Sequence, residues 1–218
     1  MKEYIKINTI WKRDDRGNIQ EGQYSLPVFE YLKDAEWVFT EKVDGTNIRV
    51  YWDGASVRFG GRSDAAQIPA TLVDHLRKAF TEQAMLAKFG PAPACLYGEG
   101  FGAKIQAGGG NYKPDGQSFV LFDVLIDKWW LKREDVDDVA MALDIPVVPL
   151  VFKGTLAQAE AMVKNGVQSL WGSFQAEGLV GRPREELFDR NGDRVIVKMK
   201  TKDYAPRKQR QEKEAVAK

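Results

Sequence analysis

Apolar and polar residues alternate with a period of two through NIRVYW (residues 47–52) and again through SVRF (56–59), and DGAS (53–56) lies between them. Alternation on both sides of a Gly-containing turn predicts a β-hairpin. The longer string WVFTEKVDGTNIRVYWDGASVRFGGRSD (37–64) therefore places Lys42 and Asp44 at the end of one strand and Arg62 just after another. PATLVDHLRKAFTEQAMLAKFG (69–90) has apolar residues at helical spacing, Leu72, Leu76, Phe80 and Met85, and stops at Gly90, so it predicts one or two helices.

ACLYGEGFG (94–102) and SFVLFDVLI (118–126) are short apolar runs bounded by Gly-rich or polar residues, as expected of strands with little exposed face. The GAKIQAGGGNYKPDGQ stretch joining them is expected to be a long loop. Beyond it, KREDVDDVAMALDI (132–145) and TLAQAEAMVKNG (155–166) predict two further helices, the second stopped by Gly166. EGLVGRP (177–183) and RVIVKMK (194–200) return to strand. Several strands and few helices, with no regular βαβ alternation, predict an α+β fold with largely antiparallel sheets.

At 218 residues the chain suits one domain or two small lobes sharing a core. Its composition, 44% hydrophobic and 29% charged, supplies both a core and a soluble surface. No window approaches the ~20 apolar residues of a membrane span, and MKEYIKINTI lacks the apolar run of a secretory signal, so a cytoplasmic protein is expected. Cys95 and His75 are the sole residues of their kinds. Internal disulfides and multi-histidine metal sites fall away.

The net charge of +1 is too balanced to announce a nucleic-acid partner. From Lys198 onward, however, eight Lys or Arg face three acids. Residues 1–204 are taken as the domain and 205–218 as a basic tail, which is either a solvated terminus or a grip on nucleic acid.

EKVDGTN, Glu41 to Asn47, carries the densest chemistry. A lysine preceding a carboxylate and a glycine at a strand end suits an amine nucleophile fixed beside a bound phosphate, because glycine lets the backbone approach a ligand. Alone, the string also reads as a surface lysine before a DG turn. It is followed in order by GRS (61–63), YGEG (97–100), LFDV (121–124), EGLV (177–180) and VKMK (197–200). Together these resemble the ordered motifs of the covalent nucleotidyltransferases, which comprise DNA ligases, RNA ligases and mRNA capping enzymes. Within that superfamily the chain resembles the RNA ligase 2-like enzymes of bacteriophages and their relatives. The resemblance rests on Asn47, where DNA ligases typically carry arginine, and on the opening KINTIWKRD, and it runs from about Lys6 to Lys200. Asp44 is the DNA ligase preference, so the motif is mixed.

The resemblance implies a nucleotidyltransferase fold, antiparallel sheets flanked by helices with the nucleotide site between them; the chain departs from the family in ending soon after VKMKTKDY, so a bare domain with no OB or other C-terminal domain is expected. It implies ATP as AMP donor, Mg²⁺ or Mn²⁺, and RNA ends as substrate, with DNA possible, for a monomer that repairs or seals nicks. Lys42 would form lysyl-AMP, and Lys198 and Lys200 would neutralise the phosphates. Glu177 would bind the metal and Glu99 the ribose or the metal. Phe122 would stack on adenine, Arg62 would contact ribose or a 5′-phosphate, and Asn47 and Glu41 would add nucleotide contacts. A minimal DNA ligase, a GTP-using capping guanylyltransferase and a noncatalytic nucleic-acid-binding module remain as alternatives.

Physically, the nucleophile must be a neutral amine. An ordinary lysine titrates near ~10.4, so neutrality near pH 7 costs about 4 to 5 kcal/mol unless neighbouring cations lower the pKa. Period-two alternation in VIVKMK puts Lys198 and Lys200 on one strand face, with Val197 and Met199 on the other.

Overall fold

The protein is described by a computed structural model covering residues 2–205. Of the expected basic tail, all but Ala205 lies outside the described residues. The fold is α+β, as the pattern predicts, and its strands pair antiparallel except where Asn8–Thr9 runs parallel to Val197–Lys200. Among the described residues no helix is long and apolar enough to cross a membrane. The chain divides into two compact units, each built around its own apolar cluster.

The first unit takes Val43–Val148 and the N-terminal segment ending at Tyr4. Its sheet has the order Val57–Gly60, Thr46–Trp52, Ala94–Gly102, Gln117–Ile126, Trp129–Trp130, all antiparallel. The expected hairpin forms its outer pair, with Trp52 opposite Val57. The stretch read as one or two helices is two, Ala70–Ala79 and Glu82–Phe89. Thr81 makes the break: its hydroxyl accepts from Ala84 N at the start of the second helix. Leu72, Leu76, Phe80, Met85 and Phe89 pack into one cluster with Ile48, Val50, Phe119 and Leu121. Burying each such side chain is worth about 1.5–3 kcal/mol. The long loop holds a short helix, Gly109–Tyr112, which its glycines do not announce.

The second unit takes Ile5–Lys42 and the chain from Pro149 onward. Its sheet has the order Asn8–Thr9, Val197–Lys200, Gly178–Pro183, Trp37–Lys42, Leu150–Gly154. Along Trp37–Lys42 burial alternates strictly: Trp37, Phe39 and Glu41 face the core, while Val38, Thr40 and Lys42 face the other way. Val197–Lys200 repeats this with Val197 and Met199 inward. Helix Leu156–Lys164 covers the core face and begins with a capping box between Thr155 and Gln158. The strand ending RVIVKMK is only its last four residues, because Val195 and Ile196 are buried before the ladder begins. A small hairpin of Trp11–Arg13 and Ile19–Tyr24, absent from the sequence reading, turns on Asp14, whose carboxylate accepts from the backbone N–H of Arg16 and Asn18.

Candidate active site

Three neighbouring strands of the second unit bring Lys42, Gly178 and Lys200 into one row: Gly178 lies opposite Lys42 on one side and Lys200 on the other. Glu177, the residue before Gly178, reaches both lysines. Its Oε2 accepts from Lys42 Nζ at 2.5 Å, and its Oε1 pairs with Lys200 Nζ at 2.6 Å. A side chain at Gly178 would strike Met199 O and approach Lys200 Cα at 2.9 Å, so glycine is what lets these strands close together. Thr201 N donates to Glu177 O at 2.9 Å and fixes the backbone from which the carboxylate projects.

All three side chains are half-buried, at 14–23% exposure, so their charges are only partly screened. Burial pushes the Glu177 carboxyl up, but the Lys42 and Lys200 cations outweigh it and hold the group below its ordinary value. Lys198 stands on the same strand face, one row further along, opposite Val180.

Glu41 occupies a different environment from Lys42 despite being its neighbour. It is 2% exposed and turned to the core face, where its carboxylate accepts from Ser169 Oγ at 2.7 Å and Leu170 N at 2.9 Å. Trp171 N in turn donates to Ser169 Oγ at 3.1 Å. Glu41 thus anchors the loop 169–171 on the far side of the strand from Lys42.

Within the first unit, Asn47 and Glu99 lie directly opposite each other on paired strands. Asn47 Oδ1 is buried and accepts no hydrogen bond from the described residues. Gly45 is sterically required beside them, since a side chain there would strike Gly100 O and come within 2.8 Å of Glu99 Cγ. Asp44 accepts from Gly108 N at 2.9 Å, tying the turn after Lys42 to the Gly-rich loop.

The pairing of Ala94–Gly102 with Gln117–Ile126 slips by one residue between Tyr97 and Gly98, so that Phe122 is the extra residue of a β-bulge. Bulges re-aim side chains, and here the half-exposed Phe122 ring meets Tyr4 edge-on at 5.0 Å. Tyr4 Oη also donates to the buried Asp123 at 2.6 Å, and Tyr97 Oη donates to Lys2 O at 3.1 Å. Arg62 is exposed in the turn after Val57–Gly60.

The structure therefore gathers Lys42, Glu177 and Lys200 into one cluster, with Lys198 on the same face, and separately pairs Asn47 with Glu99. Phe122 and Arg62 stand at other places in the first unit. Sequence reasoning missed Tyr4 and Asp123, which meet across 119 positions, and Arg49, whose partners lie 12 and 15 positions on. No group of three or more Asp, Glu, His or Cys suited to a metal is present among the described residues. That is compatible with Mg²⁺, which is commonly held by one or two carboxylates together with substrate phosphates and water; Glu177 offers the hard oxygen donor. His75 and Cys95 are occupied structurally: His75 Nε2 lies 3.3 Å from Ser118 Oγ, and Cys95 is buried.

A family model described as RNA ligase matches residues 35–200. No curated protein matches the sequence. Solved structures do: a mutant of Naegleria gruberi RNA ligase with ATP and Mn is 22% identical at a TM-score of 0.64, over 89% of this chain and 57% of that one. The same enzyme with PPi gives 22% and 0.64 over 94% and 63%, and a mutant with AMP and Mn gives 22% and 0.65 over 91% and 58%. The chain thus spans less than two thirds of the length of these structures, and at this identity the likeness is one of fold.

Proposed function

Because the chain belongs to the RNA ligase family, we propose that it joins 3′-OH and 5′-phosphate ends of RNA in an ATP-dependent reaction that passes through AMP on Lys42. The observation that carries this reading is the row Lys42–Glu177–Lys200, a candidate nucleophile and a phosphate-binding cation held on one carboxylate.

In the first step Lys42 Nζ attacks the α-phosphorus of ATP, the N–P bond forms as the bond to the β-phosphate oxygen breaks, and pyrophosphate leaves. Nζ must lose a proton to do so. The Glu177 carboxylate at 2.5 Å favours the ammonium form; parting from it removes that bias, and the Nζ proton passes to solvent before attack. Lys198 and Lys200 face the same side and draw the phosphate oxygens by charge, the chief requirement of phosphoryl transfer. A divalent ion on Glu177 would supply further neutralisation of the phosphates. The AMP then passes to a 5′-phosphate, and a neighbouring 3′-OH displaces it to form the phosphodiester.

Phe122 offers a half-exposed ring to the adenine, Asn47 and Glu99 offer hydrogen-bonding groups to the ribose, and Arg62 offers a guanidinium fork to ribose or 5′-phosphate. Asp44 carries less weight for DNA than its motif suggests, because its hydrogen bond to Gly108 gives it a task unrelated to the substrate sugar. A monomer acting in the cytoplasm on nicked or broken RNA fits this reading.

Incubation with ATP and Mg²⁺ or Mn²⁺, followed by intact mass measurement and then by nicked RNA and nicked DNA side by side, tests it. The expected result is one adenylate on Lys42 and faster sealing of RNA. Labelling by GTP alone would indicate a capping-type enzyme, and no label with either nucleotide would sink the reading.

A further inference from the structure

The guanidinium of Arg49 is fully buried in mid-strand, between Gly60 on one neighbouring strand and Tyr97 on the other. A buried charge survives only where its partners are well placed. Two donors of Arg49 reach one short turn: Nε donates to Gly61 O at 2.7 Å, and Nη2 to Asp64 Oδ1 at 2.8 Å. The Asp64 side chain is 72% exposed, so the ion pair runs from the sheet interior out to the turn. The turn also closes on itself, through Ala66 N to Ser63 O at 3.1 Å, and a side chain at Gly61 would come within 2.8 Å of Ala66 Cβ. Arg62 is exposed between the two residues that Arg49 holds.

We propose that Arg49 is a positioning residue that aims Arg62 at its phosphate or ribose partner. This inference rests on the reading of Arg62 given above. Two fixed points, Gly61 and Asp64, flank the two-residue span Arg62–Ser63 and limit the directions in which the Cα–Cβ bond of Arg62 can point, and a guanidinium fork sets both points at once, which a lysine ammonium cannot do. A hydrophobic residue would fill the same interior position without the cost of burying charge, so the charge serves the turn. Asp64, the outer end of the clamp, shares the task.

Three rates separate the steps: lysyl-AMP formation, transfer of AMP to a 5′-phosphate, and sealing of a strand supplied already adenylylated. Arg62→Ala is expected to slow one step selectively. Arg49→Lys should slow that same step by about ten- to a hundred-fold, as small misplacements of a substrate-positioning group do, and Asp64→Asn should slow it less. The double variant Arg49→Lys with Arg62→Ala should be no slower than Arg62→Ala alone, because Arg49 acts only through Arg62. Equal slowing of all three steps by Arg49→Lys, or multiplied effects in the double variant, would overturn the proposal. Full rates for Arg49→Lys and Asp64→Asn at the step that Arg62→Ala impairs would also overturn it. Should Arg49→Lys fail to fold, Asp64→Asn decides, since an exposed side chain can be changed without opening the core. Full activity of Arg62→Ala at every step would reject the Arg62 reading itself, and the role of Arg49 with it.

Discussion

The two five-stranded sheets use the same backbone geometry to opposite ends. In the sheet of Lys42, one face is core and the other carries cations, with Lys42, Lys198 and Lys200 at alternate positions and Glu177 between two of them. In the sheet of Asn47, the strands Thr46–Trp52, Ala94–Gly102 and Gln117–Ile126 are buried at most residues, and buried polar groups inside them are pinned, Arg49 to its turn and Asp123 to Tyr4. A strand covered on one side can afford reactive charge on the other, whereas a strand covered throughout must give each buried charge a fixed partner. The first arrangement leaves its charges half-buried, and the second locks them in place.

The contrast can be broken most severely at Lys42. Lys42→Ala is expected to abolish lysyl-AMP by mass measurement, while the thermal midpoint moves by no more than about 2 °C. A surviving adenylate would move the nucleophile elsewhere.

Next in size are the two cores. Phe39→Ala and Phe119→Ala each remove a fully buried ring, one per unit, and each should cost about 3–5 kcal/mol. Denaturation followed by separate probes in the two units would show whether each loss stays in its own unit, and equal shifts in both would mean that the units melt as one.

A subtler effect concerns acid. With its carboxyl held below the ordinary value, Glu177 contributes stability that is complete above the unfolded-state pKa and fades as pH falls through the lower folded-state value. Thermal midpoints measured from pH 7 down to pH 3 should therefore drop less steeply for Glu177→Gln than for the parent chain. The same slope in both would show that the two lysines do not stabilise the carboxylate.

The smallest change is expected at Asp44. Asp44→Asn keeps an acceptor for Gly108 N but loses its charge, for a cost of about 0.5–1.5 kcal/mol. The ratio of RNA to DNA sealing should be unchanged, and a shift toward RNA would restore Asp44 as a determinant of substrate sugar.

Much of the fold was legible in the chain. Alternation marked the hairpin that begins at Asn47–Trp52, helical spacing marked residues 70–89, and short apolar runs marked the strands Ala94–Gly102 and Gln117–Ile126. The Ile19–Tyr24 strand was not legible, because Gln20, Glu21, Gly22 and Gln23 offer no apolar alternation and mostly face solvent. The burial of Glu41 was legible too, since the alternation of WVFTEK puts it on the face of Trp37 and Phe39. Arg49 shows the reverse, since the alternation of NIRVYW puts it on the face opposite Ile48 and Val50, and nothing local reveals that this face is also covered.

By itself, the sequence determined which residues share a strand face, where the glycines permit close approach, and which lysine ends a strand beside a turn, because these depend on backbone periodicity and local sterics. Tertiary structure alone decided that Glu177 meets Lys42 across 135 positions and that Arg49 is buried beneath the Arg62 turn. Strand neighbours and the burial of a second face arise from packing between distant segments, and no local pattern encodes them.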